Sequence, residues 1–468
     1  MQGNFLNRFF YQILWIVAII LISLYFVSVL GVSTRELPRM PFLIGSIVIG
    51  VLYIIRYRKN DIFCYETIFF ILYVISVFFR DIVLDNLVDD SMVSSVFYTT
   101  FSAKVENAGV IVQSLAMVAF LLGAAKINNQ NVQISTDNNF SIKNDYSYIG
   151  FVLGIIEGVY IVYLFSTGLI YTWFQYSGNV TDYTNTDVVF LTMLFLVHTS
   201  VEFARLKSNG CNSFSSFLRN VNKVYFVEIV LISGILLLSG NRNECLLILL
   251  PMVISFSVFI KHISNKEFMV LLAVGAVTMI FIGVTRQLGV LKSSGNPVTL
   301  FESTRDFGFV DNNTKYLIET VEKNGPVYFK NTFLNVVSAV PFLGGLVVSL
   351  TGLQYDIRST ELTTNGMQLA SNMDSGLGTS LVGDLYYTGG FLFTVVFMYF
   401  FGLLLSKQYR RFMITRNFNI WSLMVYLFMF SNVVYYIRAE WTMPIRYIGF
   451  SFVIYLVLKV FVKQKTSK

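Results

Sequence analysis

The chain has 468 residues, of which 55% are hydrophobic, 16% aromatic and only 13% charged, and its mean hydropathy is +0.64. That balance excludes a soluble globular domain, which could not carry so much apolar surface without aggregating, and predicts an integral membrane protein. The formal charge of +7 does not signal nucleic acid, because Lys and Arg sit mostly in short loops between apolar runs, the pattern that orients helices in a bilayer.

A hydrocarbon core about 30 Å thick is crossed by roughly 20 apolar residues of helix, and runs of about 15 serve where aromatic and basic flanks complete the span. About twelve segments meet that length, at residues 9–30, 41–55, 62–79, 108–125, 148–165, 188–204, 224–238, 245–260, 268–284, 385–405, 420–437 and 445–462. Lipid offers backbone N–H and C=O groups no water, so each run must be a helix. The predicted fold class is therefore all-α, a polytopic membrane protein with a single transmembrane domain over 1–468. The first run is too long for a signal-peptide core and lacks a small-residue cleavage pattern after it, which predicts a retained helix. Cys64, Cys211 and Cys245 have no paired spacing, so neither a disulfide framework nor a thiolate metal site is indicated.

Basic residues set the orientation. Arg56, Arg58 and Lys59, then Arg205, Lys207, Arg219 and Lys223, then Lys407, Arg410, Arg411 and Arg416, and finally Lys463, Lys465 and Lys468 all fall on one side, which is the predicted cytoplasmic side. Both termini are then cytoplasmic. The loop over 166–187 has no Lys or Arg, and Asp81, Asp85, Asp89 and Asp90 follow the third helix, as external loops usually do. One long connection, residues 285–384, is expected outside between the ninth and tenth helices. Within it, residues 327–351 are apolar but interrupted by Pro341, Gly344 and Gly345, which suits a half-helix or interfacial segment. A thirteenth helix there would put the basic loop after Leu405 outside, against the charge rule. No internal repeat is visible.

An ionisable group inside an apolar run is costly unless it has a partner or a role. Glu157, Glu202 and Glu228 fall in or near such runs, where a buried pairing and a proton pathway both stand open, and Arg205 is a local partner for Glu202. His198 and His262 have no metal-ligand company and read as structural. The hinge Ser239-Gly240-Asn241-Arg242-Asn243-Glu244 sets an arginine at the outer surface, where it either snorkels or meets an anion. Three further arginines share that side: Arg305 in Phe301-Glu302-Ser303-Thr304-Arg305-Asp306, Arg438 in Arg438-Ala439-Glu440-Trp441, and Arg446 at the start of the last helix. For Trp441 the plain alternative is an interfacial belt, and for Arg438 a pairing with Glu440. The run Asp374-Ser375-Gly376-Leu377-Gly378-Thr379-Ser380 leads into helix ten, where small residues let a ligand approach and free amides can hold phosphate oxygens. Asp374 or Asp384 offers a base, although an exposed loop carboxylate is commonly a cap. No P-loop, nucleophile elbow, zinc helix or acidic metal motif appears.

Taken in order, Gly240-x-Arg242, Arg305-Asp306, Val340-Pro341-Phe342, Ser375-Gly376-Leu377 and Arg438-x-Glu440 followed by Arg446 resemble the Wzy family of O-antigen and enterobacterial common antigen polymerases, membrane glycosyltransferases of the GT-C type. The likeness covers residues 224–462; the first half matches by helix count alone. Where relatives often carry a histidine before S-G-L, this chain has Asp374. The resemblance implies transfer of a glycan from undecaprenyl pyrophosphate to a lipid-linked repeat unit at the periplasmic face of the bacterial inner membrane. It needs no cofactor or metal, and its partners would be a chain-length-regulating co-polymerase and a flippase. In that scheme Arg242 and Arg305 stabilise the leaving diphosphate and Asp374 is the base, while Arg438, Arg446, Ser375, Gly376 and Gly378 bind the substrate. An O-antigen ligase and a lipid-linked oligosaccharide flippase are the rival readings.

Overall fold

The computed structural model describes residues 2–30, 36–58, 61–79, 81–82, 101–129, 146–173, 186–239, 242–271, 273–275, 277, 300–338, 343–353, 355–371, 378–413 and 418–461. Among these every regular element is helical. In chain order the main ones are α1 (Gln2–Tyr25), α2 (Met40–Tyr57), α3 (Tyr65–Val77), α4 (Ala103–Asn128), α5 (Ser147–Ser166), α6 (Thr186–Ser208), α7 (Lys223–Leu238) and α8 (Arg242–Phe259). They continue with α9 (Leu300–Asn324), α10 (Lys330–Ser338), α11 (Leu343–Thr351), α12 (Ser359–Ser371), α13 (Leu381–Met413), α14 (Ile420–Ser431) and α15 (Met443–Phe461).

Seven of the described helices are long and apolar enough to cross a membrane: α1, α2, α4, α5, α6, α13 and α15. The α3 helix, α8 from Glu244 onward, and α14 are apolar but shorter, and α7 follows the short helix Phe214–Asn220 across a bend of 101°. Most of the expected ninth segment lies outside the described residues. Over 285–384, expected as a loop, the described residues form α9 to α12. The 327–351 stretch carries α10 and α11, nine residues each, or about 13 Å apiece at 1.5 Å per residue, well short of a bilayer.

The chain divides into two compact units. The first comprises residues 1–132, 299–407 and 434–443. Its central helix is α4, whose apolar 18-residue window is wholly buried. Lipid tails are as apolar as leucine, so membrane helices associate through close backbone approach, and small residues permit it. A β-carbon added at Gly123 of α4 would stand 1.9 Å from the Tyr399 carbonyl oxygen of α13, and one at Gly402 of α13 would stand 2.0 Å from the Phe120 carbonyl oxygen. Both neighbours are backbone and cannot give way. Gly123→Ala should therefore cost upwards of about 3 kcal/mol, read as a lower melting temperature of the detergent-extracted protein. An unchanged melting temperature would remove this contact from the account.

Polar clusters close both ends of the first unit. At one end Arg58 Nη2 donates to Glu66 Oε1 at 2.6 Å and to Asn128 Oδ1 at 3.3 Å, and Ser406 Oγ also donates to Glu66. At the other, Arg39 donates through Nε to Asp81 at 2.9 Å and through Nη1 to Asp311 at 2.9 Å, while Lys315, 1% exposed, reaches Glu106 at 2.6 Å and Asp311 at 2.8 Å. These contacts fix α9 against α3 and α4. Burial alone would raise the Asp311 carboxyl, but Arg39 and Lys315 overcome it and hold it at about 2. A carboxylate depressed in the folded state contributes stability that is present above its unfolded value and lost as pH falls through the folded one. Acidification from 3.8 towards about 2 should therefore remove roughly 2 kcal/mol. A melting-temperature series against pH checks this, and Asp311→Asn should lose the same increment already at neutral pH and show a flatter acid limb.

The second unit comprises residues 133–298, 408–433 and 444–468. In it α6 packs against α5, α8 and α14, and α7 against α5 and α8. Arg205 grips Glu202 with Nε at 2.8 Å and Nη2 at 2.6 Å, and Glu202 Oε1 also accepts the Asn222 N–H at 2.7 Å. Asn222 in turn caps α7 by accepting the Val224 N–H. The local Glu202–Arg205 pair read from spacing thus also anchors the bend before α7.

Candidate functional site

The predicted site residues that the structure brings together lie in the first unit, where α13 begins. Gly378 has φ +68°, a left-handed conformation that glycine adopts without strain. Beyond it, the Thr379 N–H donates to the Arg438 carbonyl at 3.3 Å and the Leu381 N–H to the Ile437 carbonyl at 2.9 Å, so the start of α13 is laced to the 437–442 hairpin. Arg438 then lies directly over Gly378: a β-carbon there would stand 3.4 Å from the Arg438 carbonyl oxygen and 3.7 Å from both Nε and Nη2 of its guanidinium. Thr363 of α12 donates to the Gly378 carbonyl at 2.5 Å.

Just inside α13 is Asp384, fully buried. Its Oδ2 accepts the Trp441 N–H at 2.8 Å and its Oδ1 accepts Asn331 Nδ2 at 3.1 Å, while Asn331 also donates to Thr388 Oγ1 at 2.7 Å. Asp384 therefore clasps three elements: α13, α10 and the hairpin that carries Arg438. A second clasp forms where Gly390, at φ 75° and ψ −169°, breaks the α13 ladder. The carbonyls of Tyr387 and Thr388, which an unbroken helix would use internally, accept the N–H groups of Val327 and Phe329 at 3.0 and 3.2 Å. Tyr328 and Phe329 take positive φ values of 47° and 66°, a strained conformation for such residues, of the kind that clusters at functional sites.

Glu440 completes the cluster. It accepts the Thr360 N–H at 3.3 Å, and burial pushes its carboxyl above the usual range, opposed by the Thr360 N–H and by Arg358. The start of α13 thus combines two arginines, a buried and a half-buried carboxyl group and a glycine turn, a set able to hold an anion and to position a hydroxyl.

Two of the predicted site residues, Gly378 and Arg438, are in contact. Arg446, half-buried, lies in the first turn of α15, and Arg242 opens α8, both in the second unit. Arg305 lies in α9. The side chains of Arg242 and Arg305, and all of Asp374, Ser375 and Gly376, lie outside the described residues. Asp384 was legible only as an exposed loop carboxylate, because the helix was expected to begin at Leu385; it begins at Leu381, which buries Asp384 in the first turn. Trp441, expected as a belt residue, serves through its backbone, and its ring packs on Phe393 and Phe397 at 5.9 and 5.2 Å between centroids. Asn331 and Arg358 gave no sequence signal.

The sequence profile of the family described as O-antigen polysaccharide polymerase Wzy matches residues 10–465. No curated protein and no solved structure gives a significant match. The profile extends across nearly the whole chain a likeness that the motifs carried only from residue 224 onward. Family membership implies a glycosyltransferase-type polymerase acting on lipid-linked oligosaccharides, which suits the apolar helices and the site at the head of α13. The chain belongs to the O-antigen polysaccharide polymerase Wzy family.

Proposed function

We propose that this polymerase transfers the nascent glycan from undecaprenyl pyrophosphate to the non-reducing-end hydroxyl of an incoming lipid-linked repeat unit, at the periplasmic face of the bacterial inner membrane. The observation that carries the reading is the Arg438 guanidinium seated on the Gly378 turn, in a hairpin whose Trp441 N–H is held by buried Asp384. The acceptor oxygen attacks the anomeric carbon, the bond to the diphosphate oxygen breaks with its electron pair leaving on the diphosphate, and a base takes the hydroxyl proton. Charge grows on the diphosphate through an oxocarbenium-like state. A guanidinium stays protonated and meets phosphate oxygens through a planar fork, so Arg438, with Arg242, Arg305 and Arg446, supplies that stabilisation without a metal.

In this scheme Asp374 is the base, Ser375, Gly376 and Gly378 bind the substrate, and single displacement inverts the anomeric configuration. The 327–351 segment, with Phe333, Leu346 and Leu350 exposed, borders the polyprenyl tails. A co-polymerase and a flippase are the expected partners.

Purified protein given defined lipid-linked repeat units should return a ladder of lengthening products. Transfer of a single unit to lipid A core with no ladder would make the protein a ligase, and transbilayer movement of the lipid without any new glycosidic bond would make it a flippase. Photo-crosslinkers placed along 327–351 should capture polyprenyl lipid, and capture of none removes that segment from the pathway.

A further inference from the structure

The second unit holds a polar cluster that polymer chemistry at α13 does not use. Near the middle of α6, His198 Nδ1 donates to Glu157 Oε2 of α5 at 2.5 Å, and both side chains are 0% exposed. Glu228 of α7, 8% exposed, turns its carboxyl onto the same stretch of α5, where a β-carbon at Gly158, next to Glu157, would stand 3.0 Å from its Oε1. No ordinary donor or acceptor among the described residues satisfies Glu157 Oε1, His198 Nε2 or Glu228 Oε2. Two carboxyl groups are both acceptors when ionised, so burying them close together favours a proton held between them.

Among the described side chains, no hydrogen bond or ion pair brings a cation to these three groups. From α6 come Glu202, already gripped by Arg205, and Thr199, bonded to the Tyr225 hydroxyl at 2.7 Å; Tyr225 of α7 packs its ring on His198 at 4.4 Å. Along α8, Arg242, whose side chain lies outside the described residues, Glu244 and Cys245 stand in the first turn, and α14 has no charged residue. Glycines of α5 leave the room the cluster occupies: a β-carbon at Gly154 would stand 3.7 Å from His198 Cε1, and one at Gly158 would stand 3.0 Å from Glu228 Oε1.

We propose that Glu157, His198 and Glu228 form a proton-binding site inside the helical interior of the second unit, with one exchangeable proton shared by the two carboxyl groups and the imidazole fixing Glu157. Buried ionisable groups at membrane depth are expensive to keep and mark such sites. Losing the proton sets two like charges in contact between α5 and α7, so occupancy is linked to how tightly these helices pack.

The test is difference infrared spectroscopy of the full-length protein in lipid nanodiscs across a pH titration, with melting temperature as a second readout. Wild type should show one protonated-carboxyl stretching band that disappears as pH rises, together with a fall in melting temperature. Glu228→Gln, nearly isosteric, should lack both responses, and His198→Gln should shift the titration. A spectrum without the band, or a band that survives in both Glu157→Gln and Glu228→Gln, overturns the proposal. A response that added sodium or lithium chloride suppresses at constant pH marks a metal-cation site and equally overturns it. These readouts are independent of polymer formation.

Discussion

Replacing Arg438 with alanine is expected to lower chain elongation by about 10²- to 10³-fold, the loss that follows removal of one donor to charge developing in a transition state. The fold should survive, because the hairpin is held through the Arg438 carbonyl, which accepts the Thr379 N–H, and through Ile437, whose carbonyl accepts the Leu381 N–H. Neither bond involves the guanidinium. Lysine at this position keeps the charge but loses the planar fork, so it should restore little of the rate. The measurement is the initial rate of product lengthening by purified variants of matched melting temperature. Full activity in Arg438→Ala would take the α13 head out of the reaction and leave the family assignment untouched.

Asp384→Ala should be the most damaging single change at the site for stability. It leaves the Trp441 N–H without an acceptor and takes from the Asn331 amide one of its two, the other being Thr388, at about 1 to 3 kcal/mol for each stranded N–H. It also frees the hairpin that bears Arg438, so activity should fall even in protein that still folds. Asp384→Asn presents an amide to the Asn331 donor and should cost less but still be measurable. The double variant Asp384→Asn with Asn331→Asp keeps the Trp441 bond and restores the other two in reverse polarity: residue 384 accepts from Trp441 and donates to residue 331, which also accepts from Thr388. Melting temperature and elongation rate should both recover, with a coupling energy of about 1 to 3 kcal/mol. Simple additivity of the two single changes would show that the clasp is not the reason for Asp384.

The helices were legible because in lipid each must satisfy its own backbone, a local requirement that a run of apolar residues reports directly. That is why α1, α2, α4, α5, α6, α13 and α15 coincide with expected segments. The burial of α9, residues 300–324, was not legible, for the opposite reason. Its polar residues Asp311, Asn312, Asn313, Thr314 and Lys315 look solvated, yet all five are buried, and Asp311, Thr314 and Lys315 each have a partner far away in the chain, in Arg39, Ser380 and Glu106. Lys315 reads as a solvated charge until Glu106 is placed beside it.

Composition, apolar run length and the placement of basic residues determined by themselves that this is an all-helical membrane protein, and the ordered motifs named its family. Those are local or additive properties, which a linear string records in full. Only the tertiary structure decided that Gly378 lies under Arg438, that Asp384 joins α13 to Asn331 and Trp441, and that Glu157 pairs with His198 in the interior of the second unit with Glu228 turned onto the same stretch of α5. Such meetings depend on helix register and on backbone approach at positions like Gly123 and Gly402. They follow from which surfaces close on one another, and no spacing along the chain encodes that.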